Sequence, residues 1–116
     1  MLNKNYELQH SFTFFERELK VIRHAVCEAK HYLNQELSNT AQAAIAPTYD
    51  GGGQRGLRCV FTDSDLIVIA NGMIILEPTP LYQWLPIIHR KADNQNEVFN
   101  GLHHTISKHL GRTFLN

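Results

Sequence analysis

Net charge is the first thing this 116-residue sequence lacks: eleven Lys and Arg balance eleven Asp and Glu. Such a chain has no bulk positive charge of the kind that supplies most non-specific nucleic-acid affinity, so DNA and RNA are poor default partners. Cysteine is scarce, and Cys27 and Cys59 alone make no disulfide framework. Long apolar runs are missing as well. The longest, at 66–70, falls far short of the roughly twenty residues that span a bilayer. Residues 1–7 are polar and carry no basic-then-apolar leader. These absences lead to the expectation of a cytoplasmic protein without membrane contact. No internal repeat or second compositional regime breaks the chain, so one domain over 1–116 is expected, long enough to bury a core without staples.

The most regular pattern lies near the N-terminus. Leu8, Phe12, Phe15, Leu19, Ile22, Val26, Ala29 and Leu33 recur at alternating spacings of four and three, the seam of a heptad repeat. The spacing predicts one long amphipathic helix over about 5–37. A rival reading exists for its first third, because Tyr6, Leu8, His10, Phe12 and Phe14 also alternate with period two. Under it a strand at 6–12 precedes a helix at 14–37, with 13–16 as a capping box.

Residues 38–56 lose this period. Ala41 to Ala46 fits a short helix or an edge strand, Pro47 stops it, and 50–53 is loop chemistry. A strand is expected at 57–62. The runs 66–70 and 73–76 flank Asn71-Gly72, the strongest short hairpin signal, because both residues tolerate the positive φ of a type I′ turn. Thr79-Pro80 opens a short helix reaching Leu85, with a break at Pro86. Val98, Phe99, Leu102, Ile106 and Leu110 mark the inner face of a last helix that ends at Gly111. The fold class is therefore α+β, with a long N-terminal helix, a three- or four-stranded antiparallel sheet built on a hairpin meander, and two C-terminal helices. A fourth strand would come from 6–12 or 41–49.

Seven histidines invite a search for chemistry. His24, Cys27 and His31 share one helical face at i, i+3 and i+7, a spacing that can gather zinc ligands. That face lies nearly opposite the apolar seam, so a solvated polar stripe is the better reading, and no structural metal or cofactor is expected. On the last helix His109 points into the apolar face, His103 to its border and His104 outward. His109 is expected to be partly buried and satisfied by a hydrogen bond, with a general base as the lesser alternative, since imidazole titrates near neutrality. The glycines at 51–53 lead into a strand and lack the Lys-Ser/Thr ending of a phosphate loop. Asp63 and Asp65 read as turn acids, and Cys59 as a buried, inert thiol.

Two functional readings follow. A helix of about 32 residues would run roughly 48 Å and overhang a domain of this size. Leu8, Phe12, Phe15, Leu19, Ile22 and Val26 would then be covered in a two-fold homodimer, and the chain would be a binding or adaptor protein with a protein partner. The alternative is a small enzyme or ligand-binding protein with a pocket between the sheet and the C-terminal helices, lined by Tyr82, Trp84, His89 and His103.

Overall fold

The computed structural model describes residues 8–46, 56–76 and 95–111. The expected helix at 79–85, the glycine loop, and Tyr82, Trp84 and His89 lie outside the described residues. Within them the chain mixes helix and sheet: β1 (Gln9–Phe14), α1 (Glu16–Leu33), α2 (Asn39–Ile45), β2 (Leu57–Thr62), α3 (Asp63–Leu76) and α4 (Gln95–Leu110).

The single long N-terminal helix is replaced by a strand and a shorter helix. In a helix Phe12 and Phe14 would sit about 200° apart, yet both are buried on one side. Alternation places them there in β1, with Gln9, Ser11 and Thr13 facing out. The strand pairs antiparallel with β2, setting His10 opposite Phe61, Phe12 opposite Cys59 and Phe14 opposite Leu57. Phe12, Phe14 and Phe61 form an aromatic cluster with centroids 5.1–6.4 Å apart. Helix α1 then starts after Phe15, whose backbone N–H donates to Glu18 Oε1 at 2.8 Å. It ends at Asn34, in the left-handed conformation with φ 55°. A helix of this length is about 27 Å long, and the overhang inferred from a helix over 5–37 disappears.

The second correction concerns 63–76. The expected hairpin is a single helix, and the sheet has two strands among the described residues rather than three or four. Two tertiary features override the turn preference of Asn71-Gly72. Asn71 donates its side-chain amide to Gln35 Oε1 at 3.0 Å. Gly72 lies against the backbone of α1, so close that a Cβ built on it would stand 1.8 Å from the carbonyl oxygen of Ala25. Leu66, Ile69, Ala70, Met73 and Leu76 are buried at helical spacing, and α3 packs extensively on α1.

The start of α3 is fixed by Thr62 and Asp65 in reciprocal capping. The Asp65 N–H donates to Thr62 Oγ1, and the Thr62 N–H donates to Asp65 Oδ2, each at 3.2 Å. The Asp65 carboxylate, 3% exposed, also accepts the Ser38 N–H at 2.8 Å and the Ser38 hydroxyl at 3.0 Å. Ser38 Oγ accepts in turn from the Ala41 N–H and caps α2. One buried carboxylate thus joins the N-termini of two helices. Arg23 ties α1 to the far end of α2, donating to the Ile45 carbonyl at 2.6 Å and to Glu16.

The expected last helix is present. Phe99, Leu102 and Ile106 of α4 enter the core, and Gly111 follows at φ 76°, the left-handed turn a glycine adopts without strain. All six elements contribute to one continuous buried cluster. No helix among the described residues is long and apolar enough to cross a membrane.

Candidate functional site

Three polar side chains from distant parts of the sequence meet at the end of the strand pair. His10 is the first inward-facing residue of β1 and remains largely covered, its side chain 12% exposed. Asp63 is the first residue of α3, where the helix dipole favours a negative charge. His109 lies in the last turn of α4. His10 Nε2 is 2.6 Å from Asp63 Oδ1, and His10 Nδ1 is 3.2 Å from His109 Nδ1. The two imidazoles meet edge to face, with centroids 5.2 Å apart, and the His109 ring packs 4.4 Å from the ring of Phe12.

The chemistry of the groups orients the protons. An ionised carboxylate only accepts, so His10 Nε2 carries a hydrogen and donates it to Asp63. In neutral His10 the Nδ1 atom is then a bare acceptor. His109 must donate from Nδ1, which leaves its Nε2 as a lone pair. Among the described residues no hydrogen bond engages that atom, and His109 is exposed. The result is a directed chain from the part-exposed Asp63 carboxylate through the largely covered His10 to an outward-facing imidazole nitrogen of His109.

Partial desolvation, then the neighbouring His10 and Lys108, holds His109 below the ordinary imidazole pKa. His24 is also lowered, by burial first and by Arg23, against an opposing effect of Glu28. A histidine whose folded pKa lies below its unfolded value of about 6.5 binds fewer protons folded than unfolded in that window. Its contribution to stability is therefore complete above pH 6.5 and is lost as the pH falls from there through the folded pKa. Melting temperature should be flat from pH 7 to 8 and decline toward pH 5. The double variant His24→Gln/His109→Gln should flatten the decline between 6.5 and 5.5, measured by circular dichroism.

Of the residues singled out in the sequence, the structure brings His109 and Asp63 together, and adds His10, which stood out only as one member of an alternating run. His103 lies about 120° around α4 from His109. His24 and Cys27 line a shallow groove on α1 with Lys20 and Arg23, while His31 packs edge-on against Tyr32. Among the described residues no group of three or more His, Cys, Asp or Glu side chains could hold a metal ion. Phe12, Leu19 and Ile22 are buried within the chain, Phe15 and Val26 are partly covered, and Leu8 is 64% exposed. Phe15 lies under the Arg17 guanidinium, 5.2 Å from the ring centre. Cys59 is fully buried, and burial pushes its thiol up, away from nucleophilic use.

Comparison with known proteins returns no matching family model, no matching curated protein and no matching solved structure.

Proposed function

We propose that this chain is a small acid–base enzyme in which His109 Nε2 takes a proton from water or from a substrate hydroxyl or carbon acid. The Asp63–His10–His109 chain carries this reading. A proton accepted at Nε2 makes His109 an imidazolium. Its Nδ1 proton then passes across the 3.2 Å contact to His10 Nδ1. The positive charge comes to rest on His10, beside the carboxylate of Asp63, and His109 is left neutral with its proton on Nε2. As His109 Nε2 gives its proton to the leaving group or to water, the Nδ1 proton of His10 passes back across the same contact to His109 Nδ1, which resets both rings. The arrangement belongs to the logic of histidine bases oriented by a carboxylate, with a second imidazole as the working end.

Hydrolysis of p-nitrophenyl acetate at pH 7.5 tests this without knowledge of the natural substrate. General-base assistance is worth roughly 10²–10⁴ in rate. His109→Gln should therefore lose about a hundredfold, Asp63→Asn should lose much of the rate, and His104→Gln on the outward side of α4 should lose none. Equal rates in the parent and His109→Gln would end the enzyme reading.

A second reading, a binding protein that pairs with its own copy, is favoured by the outward face of α3. This helix is apolar nearly all round, a pattern usual for helices covered on every side, yet Ile67 and Ile74, one heptad apart, are 38% and 42% exposed. A dimer by light scattering that becomes a monomer in Ile67→Glu/Ile74→Glu would support it, and a monomeric parent would remove it.

A further inference from the structure

We infer that the His10–His109 contact is an acid-operated latch, which holds the last turn of α4 on the strand pair when neutral and releases it when both rings are protonated. The inference rests on the histidine pairing used in the proposed function and adds a regulation of that same site. Its ground is the geometry of the contact. Two imidazole nitrogens of the same kind face each other at 3.2 Å. Such a contact accommodates one proton, as an N–H donating to a lone pair. A proton on each Nδ1 would point two N–H groups and two like charges at one another.

The surrounding charges decide which ring leaves. His10 is anchored from the other side by Asp63 of α3 at 2.6 Å, so its cationic form gains a partner and stays. From β2 the residue opposite His10 is the uncharged Phe61. The charged neighbours acting on His109 are His10 itself and Lys108 of the same helix. Both are cationic when protonated, and among the described residues no hydrogen bond or ion pair joins His109 to a carboxylate. The end of α4 is therefore the side that moves. Its departure removes the ring packed on Phe12 at 4.4 Å, uncovers the edge of the aromatic cluster and takes the working base away from its relay. Acid would then switch the site off by disassembly.

Hydrogen exchange followed by mass spectrometry, corrected for intrinsic rates at pH 7.5 and pH 5.0, tests the latch in the parent protein. The expected result is a loss of protection of tenfold or more at pH 5.0 in peptides covering 106–111, with protection in 19–29 retained. His109→Phe, which keeps the packing on Phe12 but takes no proton, should hold its protection at both pH values. His109→Gln should show the same low protection in 106–111 at both. Unchanged protection of 106–111 in the parent at pH 5.0 would overturn the latch, as would an acid loss that persists undiminished in His109→Phe. The esterase assay at pH 7.5 is independent of this outcome, so failure of the base reading and failure of the latch are separately visible.

Discussion

Gly72→Ala should destabilise the protein by about 3 kcal/mol or more, although the same change makes α3 a better helix. Taken alone, alanine in a helix interior is favoured over glycine by about 1 kcal/mol. Here the added methyl would fall 1.8 Å from the Ala25 carbonyl oxygen and 2.4 Å from its carbon. The obstructing atoms are backbone, so no side-chain rotation clears them, and α1 and α3 must separate along their whole contact. Overpacking of this kind usually costs about 1–3 kcal/mol and more when backbones must shift. Gly101→Ala supplies the control. Gly101 is an exposed position of α4 where a Cβ meets nothing within 4 Å, so this variant should gain about 0.5–1 kcal/mol. Urea denaturation of both variants gives opposite signs if the helical assignment is right. If 66–76 were a hairpin, Asn71-Gly72 would be its turn, and Gly72→Ala would meet no neighbouring backbone.

Asp65→Ala should cost about 3–5 kcal/mol, the largest effect expected of any polar residue. The carboxylate is nearly buried and accepts from the Ser38 N–H, the Ser38 hydroxyl and the Thr62 N–H. Hydrogen bonds to a charged group contribute about 1.5–3 kcal/mol each, and a buried donor left without a partner costs about 1–3. Losses within one network are not additive, which keeps the total below the sum. Asp65→Asn retains one accepting oxygen but turns an amide donor toward a donor, and should lie between parent and alanine variant. Ser38→Ala removes one of the donors together with the cap of α2 and should cost about 1–2 kcal/mol. Denaturant midpoints order these three variants directly.

Much of the scaffold was readable from local pattern. The alternation at 57–62 gave β2, the helical spacing from Val98 to Leu110 gave α4 with its terminal glycine, and α1 appeared under either reading of its first third. The helix over 63–76 was missed for a physical reason. Short apolar runs such as 66–70 and 73–76 fit a buried strand or a buried helix equally well, and Asn71-Gly72 weighed toward a turn. The contrary signal was present in Thr62-Asp63-Ser64-Asp65, a capping box read as a turn. What selects the helix is the fit of Gly72 against Ala25, a contact between residues 47 positions apart. The site was less legible still. His10, Asp63 and His109 are separated by 53 and by 99 positions from His10, so no spacing rule joins them. Only the pairing of β1 with β2 and the docking of α4 bring them together. The hydrogen bond expected for His109 is found there, although the residue is exposed rather than partly buried, while His24, Cys27 and His31, which did have a recognisable spacing, belong to no metal-ligand cluster among the described residues.

Imidazole ¹⁵N–¹H correlation spectra at pH 7.5 read out the proposed relay from Asp63 through His10 to His109. His10 should appear as the Nε2–H tautomer with a bare Nδ1, and His109 as the Nδ1–H tautomer with a bare Nε2. Asp63→Asn should loosen both assignments. A His109 whose two nitrogens are averaged by exchange with solvent, indistinguishable from the outward-facing His104, would contradict the relay.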